Sequence, residues 1–361
     1  MRVLLVSNMY AYPGNWDKLD HLGRHIQLGA VMPSTWHSDK ELHPVLDVPE
    51  KEPREPWQQY RIRPFFQGNP FRYVYEPKAL ERAIAEFKPD LIHAEQEPES
   101  LSLLQLSVLK PFHRYRLVFV AWENVHPLHQ GLLFRQVNFL AADAGIVGSR
   151  DALNRTRNQG FRKRLEIIPQ YGFEITAPNI LPDSTDGPFR IGYAGRLVPE
   201  KGLRTLVEAT RGMRDVEVVV AGSGPLAAEL QREPHITLLG TLPRQKLDTL
   251  WRQVQVCVVP SLTTRVWAEQ FGRVVVEAMA AGVPVIGSSS AAIPEVIGDA
   301  GLVFPEGNAT ALRREIERLH YDPSLRRDLA SRGIARVKDC YSNEVIMQRT
   351  VEFYREVLGS R

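Results

Sequence analysis

Two glutamates in the second half of the chain, Glu269 and Glu277, have a spacing that suits a binding site for hydroxyl groups. They stand eight positions apart, with a Phe-Gly turn between them and a helical pattern after them. Glu277, in the first turns of the predicted helix, can accept two hydrogen bonds from a ribose diol, and Glu269 can hold sugar hydroxyls. Two glutamates at this spacing are by themselves more often a surface coincidence. Their position between a strand ending in Pro-Ser and a helix ending at Gly282 favours a functional pair.

The start of the same predicted helix is a candidate anion site. Phe271, Gly272 and Arg273 stand there, so unpaired backbone N–H groups and the positive end of the helix dipole would face an anion. The sequence therefore places an anion-binding turn between the two carboxylates.

A second candidate is the loop at 195–202, which follows a predicted strand and precedes a predicted helix. It carries Arg196 and Lys201 at the carboxyl edge of the sheet, where two fixed cations would neutralise a diphosphate leaving group. An ordinary solvated loop accounts for such a pair about equally well. The turn Gly222-Ser223-Gly224 is a weaker signal, because it lacks the third glycine and downstream acid of a dinucleotide site.

Length and composition indicate a globular protein of two domains, with 361 residues of which 43% are hydrophobic. No apolar run approaches the roughly 20 residues that span a bilayer, and the apolar run at 3–6 is too short for a signal peptide, so we expect a cytosolic protein. A net charge of +3 gives no indication of nucleic acid. The two cysteines have neither metal-site nor disulfide spacing, and we expect both to be buried thiols.

The order of predicted elements indicates an α/β fold with two Rossmann-like halves. Short apolar runs of the kind buried in parallel sheets alternate with helical patterns. Proline and acidic residues cluster at 178–188, which predicts an interdomain linker. The proline-rich stretch 43–57 predicts an excursion over the surface, and the apolar stripe of the last helix, 342–358, needs a partner surface.

Three acidic residues, Glu95, Glu97 and Glu99, follow a strand of the first half at its carboxyl end. Open α/β sheets bind ligands at that edge, which is one interpretation. The favoured interpretation is that they complement the positive end of the following helix.

Several of these motifs together resemble the carboxyl-terminal domain of family 4 retaining glycosyltransferases. The resemblance is carried by 195–202, Pro260-Ser261-Leu262, 269–286 and 293–297, covers 190–341 well, and extends more loosely to the first half through 88–93. It implies the GT-B fold, with two Rossmann-like domains facing each other across a cleft and a C-terminal helix crossing back to the first domain. The implied boundaries are an acceptor-side domain at 1–177, a linker at 178–188, a nucleotide-sugar-binding domain at 189–341 and the final helix at 342–361.

The resemblance also assigns roles to single residues. Arg196 and Lys201 would contact the donor diphosphate, Glu277 the ribose, and Glu269 the transferred sugar. The implied donor site comprises Gly14, Arg196, Lys201, Glu269, Gln270, Phe271, Gly272, Arg273 and Glu277. The implied catalytic set is Glu269, Glu123, Arg196 and Lys201, and the implied acceptor side is Glu123, Asn124 and His126. The donor would be UDP- or GDP-linked, with no metal and no other cofactor.

The chain departs from the family pattern at two places. Gly14-Asn15 stands where many members have a double glycine, and Glu123-Asn124 stands where many have a His-Asp pair. Glu123 would act as base toward the acceptor hydroxyl, hold the acceptor without proton transfer, or be a structural carboxylate bonded to backbone.

The implied function is a retaining, metal-independent hexosyl transfer from a nucleoside diphosphate sugar to a hydroxyl of a glycan, lipid-linked or small-molecule acceptor. A nucleotide-sugar epimerase on the same fold is the alternative within enzymes, and a catalytically silent nucleotide-binding regulator is the alternative outside them. The intact set of Arg196, Lys201, Glu269 and Glu277 argues against silence. Basic and aromatic residues within 61–73 suit either a lipid-linked acceptor at the inner face of a membrane or a half-buried strand.

Overall fold

The computed structural model describes residues 1–36, 51–123, 132–170, 172–175, 187–243 and 246–359. The chain divides into two compact units, of which the first comprises Met1–Gly172 with Asn343–Arg361 and the second Phe173–Ser342. Most of the predicted linker at 178–188 lies outside the described residues.

The strands alternate with helices along most of the described chain. The strands are β1 Arg2–Val6, β2 Gln27–Pro33, β3 Lys51–Arg54, β4 Trp57–Ile62, β5 Pro64–Phe65, β6 Val74–Tyr75, β7 Leu91–Ala94, β8 Arg116–Ala121, β9 Ala144–Val147, β10 Arg164–Ile167, β11 Phe189–Ala194, β12 Val216–Ala221, β13 Ile236–Gly240, β14 Val256–Val259, β15 Val285–Ser288 and β16 Gly301–Phe304. The α-helices are α1 Asp17–Gly23, α2 Pro77–Phe87, α3 Leu101–His113, α4 Leu132–Ala141, α5 Arg150–Asn158, α6 Leu203–Thr210, α7 Ala227–Leu230, α8 Leu247–Trp251, α9 Arg273–Ala280, α10 Ile293–Ile297, α11 Ala309–Tyr321, α12 Pro323–Arg336 and α13 Asn343–Gly359.

The first unit is built on a sheet with the order β10-β9-β8-β7-β1-β2-β4-β3. Its strands are parallel except that β3 pairs antiparallel with β4 at the edge. The apolar run of β1 explains its central place, because a parallel strand covered on both faces must bury side chains of both orientations. Val3, Leu4, Leu5 and Val6 are all fully buried.

Helices cover both faces of this sheet. On one face Leu4 and Val6 pack with α2 and α3, and on the other Val3 and Leu5 pack with α1 and α13. The apolar stripe of the last helix is buried there, with Tyr354 among its fully buried side chains. The final helix is therefore part of the first unit.

The second unit has a parallel sheet with the order β13-β12-β11-β14-β15-β16. The order reverses between β11 and β14, which is the place where open α/β sheets bind ligands beyond the carboxyl ends of their strands. The loops after β11 and β14 carry the predicted donor residues.

The sequence does not predict four strands of the first unit, β3 to β6, although a half-buried strand within 61–73 is one of its two interpretations. β4 lies inside the sheet although its sequence is largely polar, and β5 and β6 form a small antiparallel hairpin. Part of the predicted surface excursion, 43–50, lies outside the described residues, and 51–54 form edge strand β3. Pro53 is compatible with that edge position, since proline has no N–H to donate to a neighbouring strand.

Candidate active site

Lys201 and Glu269 meet at the carboxyl edge of the second sheet. The Lys201 Nζ lies 2.6 Å from Glu269 Oε2, and only 19% and 13% of the two side chains are exposed. The Ser261 hydroxyl donates to the same carboxylate oxygen at 3.0 Å. The structure thus places the predicted phosphate cation and the predicted sugar carboxylate in one ion pair.

Gly202 lets the Lys201 loop approach the end of β14. Its φ is +69°, in the left-handed region, and a Cβ there would overlap the carbonyl oxygen of Pro260. The Leu262 N–H donates to the Glu200 carbonyl at 2.8 Å and fixes the same approach. Only glycine combines a positive φ with such a close approach to the Pro260 carbonyl, so Gly202 determines that Lys201 stands beside Ser261.

Tyr193 in β11 holds the part of the 195–202 loop that carries Arg196. The Tyr193 hydroxyl donates to the Arg196 carbonyl at 2.9 Å, and burial, with the nearby Glu269 carboxylate, raises the pKa of Tyr193. The Arg196 side chain is 56% exposed and lies 3.8 Å from Glu200. The loop backbone is fixed, while the Arg196 guanidinium extends into solvent.

The turn at Gly222-Ser223-Gly224 supports this loop. A Cβ at Gly222 would overlap the Gly195 carbonyl, and one at Gly224 would lie 2.5 Å from the Leu197 carbonyl oxygen. The Leu197 N–H donates to the Ser223 carbonyl at 2.8 Å. The backbone of this turn therefore packs closely against the loop that carries Arg196.

The predicted anion turn has the expected local form. Gly272 precedes α9 with a φ of +78°, and no side chain caps the helix. Glu277 lies one turn inside the helix, 3.9 Å from the Arg273 guanidinium. Its carboxylate adds to the effect of burial in raising the pKa of the Cys257 thiol in β14, which places Glu277 close to the switch point of the sheet.

The side chain of Phe271 turns into an aromatic cluster. Its ring stacks on Phe173 with centroids 6.2 Å apart and meets Tyr341 edge-on at 5.6 Å. Gln270, beside it, is exposed. Phe271 therefore anchors the turn through its side chain.

Trp267 is a contact that the sequence analysis did not assign. The Lys201 ammonium lies 4.8 Å from the centroid of its ring, within cation–π distance. The Thr264 side chain accepts from the Trp267 N–H at 2.9 Å and closes the loop that presents the ring. The signal in the sequence was an aromatic residue two positions before Glu269.

The carboxylates after β7 bind other parts of the first unit. The capping interpretation is wrong, because the Ser100 hydroxyl caps α3 by accepting from the Leu103 N–H. Glu95 pairs with Lys18 at 2.5 Å, with both side chains buried. Glu99 accepts from Arg155 at 3.1 Å.

Glu97 holds the backbone at the end of β8. Its Oε1 accepts from the N–H groups of Trp122 and Glu123 at 2.6 and 3.0 Å. Burial raises the pKa of Glu97 to about 8; Arg155 opposes that rise, whereas the carboxylates of Glu123 and Glu99 add to it. Arg155 also donates to the Glu123 carbonyl at 3.3 Å, so Glu123 stands on a fixed segment.

The remaining predicted positions lie in the first unit. Gly14 is in a 3-10 turn after β1, where no described residue lies within 4 Å of a Cβ. Asn124 and His126 lie outside the described residues. The roles assigned to all these residues remain predictions.

Part of the basic and aromatic set at 61–73 is buried. Arg61 is 1% exposed and stacks on the Trp16 ring at 5.9 Å, and Tyr73 is fully buried. Phe66 alone of these three is open to solvent, at 75%.

No helix in the described part of the chain is long and apolar enough to cross a membrane. Nor does any group of three or more His, Cys, Asp or Glu among the described residues form a candidate metal site.

The two cysteines, Cys257 and Cys340, both lie in the second unit. Cys257 is fully buried, as predicted, whereas Cys340 is half-buried. Burial raises the pKa of Cys257, so its thiol is neutral in the fold. It packs in the core as a small apolar side chain.

Comparison with known proteins assigns the second unit. Residues 188–322 match the family described as Glycosyl transferases group 1. The O-antigen chain mannosyltransferase B of Escherichia coli is 32% identical over 177 residues, which cover 45% of each chain. The sulfoquinovosyl transferase SQD2 of Arabidopsis thaliana is 23% identical over 293 residues, covering 73% of this chain and 56% of that protein. The chain thus spans about half the length of the curated relatives it matches.

Solved structures extend the likeness to nearly the whole chain. The sucrose-phosphate synthase of Thermosynechococcus elongatus aligns with a TM-score of 0.74 and 22% identity over 99% of both chains. HepE of Anabaena, solved in complex with UDP, aligns with a TM-score of 0.73 and 19% identity over 99% of this chain and 100% of that chain. At this level of identity the likeness establishes the fold, which is GT-B as predicted.

Proposed function

We propose, because residues 188–322 form a group 1 glycosyl transferase domain, that this protein transfers a sugar from a nucleoside diphosphate donor to an acceptor hydroxyl. The observation that carries the proposal is the cluster of Lys201, Glu269 and Ser261 at the switch point of the second sheet. Glu277 and the start of α9 adjoin it in sequence and share that sheet edge. A cation, an anion turn and two carboxylates are the groups that a sugar diphosphate requires.

In the proposed reaction the bond between the anomeric carbon and the diphosphate oxygen breaks. The acceptor oxygen forms its bond to that carbon on the same face, so the configuration is retained. The acceptor proton passes to Glu123 where that carboxylate acts as base, and otherwise to the departing diphosphate oxygen. Lys201, Arg196 and the N–H groups at the start of α9 stabilise the charge that develops on the diphosphate. This electrostatic term is the largest contribution we assign to the protein, because the leaving group concentrates negative charge.

The two carboxylates orient the donor. Glu277 accepts hydrogen bonds from the ribose hydroxyls, and Glu269 accepts them from the transferred sugar. Glu123, whose backbone is held by Glu97, faces the acceptor as base or as a hydrogen-bond acceptor. Positive charge comes from Lys201 and Arg196, so the proposed chemistry is metal-independent.

The nucleotide of the donor is uridine or guanosine diphosphate. The HepE structure, which was solved with UDP, supports uridine as the first nucleotide to test. We place the protein in the cytoplasm, at the inner face of a membrane, with a glycan, lipid-linked or small-molecule acceptor. The names of the curated relatives, which include an O-antigen chain mannosyltransferase, support a role in glycoconjugate biosynthesis.

Thermal shift with UDP, GDP and ADP tests the donor site. We expect one diphosphate to raise the melting temperature of the wild type, and Glu277→Ala and Lys201→Ala to abolish that rise. Glu317→Ala is the matched control, since Glu317 also pairs with an arginine four positions away on a helix of the second unit. Absence of any shift in the wild type would refute the donor site.

The reaction itself is tested by mass analysis of the stabilising sugar nucleotide after incubation with candidate acceptors. A product heavier than the acceptor by one sugar residue supports transfer. Conversion of the sugar without any acceptor would instead support the epimerase alternative. Binding without either reaction, across glycan and lipid acceptors, would favour the regulatory alternative.

A further inference from the structure

We propose that helices α3 and α4 dock the first unit on a bilayer that contains anionic phospholipid. The surface concerned, the α3/α4 surface, is defined by its exposed apolar side chains, which are Val108, Phe112, Leu133, Val137 and Leu140. The proposal gives a location and a lipid class to the membrane association proposed above, and rests on that part of the proposed function alone. It is independent of the donor site.

The exposure of these side chains is unusual for their size. Phe112, Leu133 and Leu140 are 77%, 74% and 79% exposed. Single exposed apolar residues are ordinary on a protein surface, but a group on adjacent helices marks an interaction site. These residues form such a group.

Helical spacing puts the exposed apolar side chains of each helix on one stripe. Val108 and Phe112 are four positions apart on α3, and Leu133, Val137 and Leu140 follow the i, i+4, i+7 pattern on α4. The opposite faces of the same helices are buried in the core through Leu103, Leu106 and Phe139. Both stripes therefore face away from the sheet.

The two helices lie side by side, which joins the stripes. The Ser107 hydroxyl, next to Val108, donates to Asn138 Oδ1 at 2.8 Å. Near the helix ends the Lys110 ammonium donates to the Ala141 carbonyl at 2.5 Å. Residues that neighbour the exposed side chains in sequence are thus in direct contact between the helices.

Positive charge borders one end of this surface. Lys110 and Arg116 share the carboxylate of Asp143 at 2.6 and 2.9 Å, and Lys163 donates to the Leu140 carbonyl at 2.8 Å. The exposed Arg114 ends α3. Over 107–116, 138–143 and 157–163 the sequence has six Lys or Arg residues and one acidic residue.

Apolar side chains bordered by an excess of cations match an anionic bilayer. Phe and Leu side chains enter the boundary of the acyl chains while lysine and arginine contact the lipid phosphates. A second copy of the chain is a poorer occupant, since it would bring the same positive charge to the same surface. The charge distribution therefore favours lipid.

The orientation leaves the carboxyl edge of the first sheet uncovered. A helix that follows a parallel strand runs back toward the strand's amino end, so the cationic ends of α3 and α4 lie at the edge opposite the carboxyl ends. Glu97 and Glu123 stand at the carboxyl ends of β7 and β8. Docking by the cationic end would not cover them.

Vesicle flotation of the full chain tests the proposal. Vesicles of phosphatidylglycerol mixed with phosphatidylcholine should bind the wild type, and vesicles of phosphatidylcholine alone should bind it far less. The double variant Phe112→Ser/Leu140→Ser should lower binding by about tenfold or more, because two inserted side chains are lost. Arg114→Glu should lower it at least about fivefold, and added salt should weaken the wild type.

The control is Tyr321→Ser, which removes an aromatic side chain of equal exposure, 76%, from the second unit. It should bind vesicles as the wild type does. Equal binding by the double variant, or equal binding to both vesicle types, would overturn the proposal. So would a wild-type dimer, seen in sedimentation velocity, that the double variant loses. The UDP thermal shift, measured on each variant, separates loss of docking from loss of the donor site or of the fold.

Discussion

Glu97→Gln is the substitution whose effect the structure defines most closely. Glu97 Oε1 accepts two backbone N–H groups at the end of β8. Its buried Oε2 lies 3.5 Å from Arg155 and has no hydrogen-bond partner among the described residues. Glutamine keeps the shape of the side chain and the accepting oxygen. It replaces the ionisable OH with an NH2 group, so this position can no longer take up or release a proton.

The size of the expected change in stability follows from the raised pKa of Glu97. Between an ordinary value of 4.5 and about 8, the folded protein keeps a proton on Glu97 that the unfolded chain releases. The free energy of unfolding then falls as the pH rises through this interval. At about 1.36 kcal/mol per pH unit, the free energy of unfolding falls by up to about 5 kcal/mol over the whole interval. The variant, which has no proton to release at this position, should lose that part of the pH dependence.

Urea unfolding of both proteins across the interval from pH 4.5 to about 8 measures this difference. The variant should be close to the wild type at the acid end and more stable by several kcal/mol at the alkaline end. Glu81→Gln, at an exposed position of α2, is the control and should keep the wild-type slope.

Parallel pH profiles for wild type and Glu97→Gln would refute the reasoning, because they would mean that Glu97 is ionised in the fold throughout. A variant that is less stable at every pH would refute it as well. That outcome would show that the two N–H groups require a full negative charge rather than a neutral acceptor.

Three further predictions concern single contacts. Gly202→Ala should abolish the UDP thermal shift and lower the free energy of unfolding by about 1–3 kcal/mol through backbone strain. Gly212→Ala is the control, because Gly212 also has a positive φ, +72°, but no described residue lies close to its Cβ position, and it should leave the shift intact. Calorimetry can check both. Trp267→Ala should weaken UDP binding about threefold to fivefold and Trp267→Phe much less, in isothermal titration; equal losses would exclude a cation–π role. Tyr354→Phe breaks the 2.6 Å bond to buried His93 and should cost about 1–3 kcal/mol in urea unfolding; an unchanged midpoint would contradict this.

The parts of the fold that the sequence predicted are those with a local signal. β1 and β8 contain continuous apolar runs, and β7 is apolar except for His93; such runs are typical of strands covered on both faces. β4 lacks such a run, because Gln59 and Arg61 occupy buried positions in it. Their burial depends on neighbours such as the Trp16 ring, which no local pattern reveals.

The same distinction applies to the sites. The predicted donor residues occur within short motifs, and the strand before Glu269 and the helix that carries Glu277 were enough to single them out as candidates. The carboxylates after β7 were misinterpreted as helix-capping groups, since their partners are distant in sequence. Lys18 is 77 positions from Glu95, and Arg155 is 56 positions from Glu99. Adjacent helix ends were the only partners visible in the sequence.

The ion pair at the candidate site bears on how a donor would bind. Lysine has three donors on one ammonium group, so Lys201 can keep its contact with Glu269 and still donate to a phosphate oxygen. The Trp267 ring covers another side of the same ammonium and limits the directions from which an anion can approach. A diphosphate therefore adds to the existing pair instead of replacing Glu269. The carboxylate proposed to orient the sugar would then be positioned by the cation proposed to stabilise the leaving group, so one connected set of side chains would perform both roles.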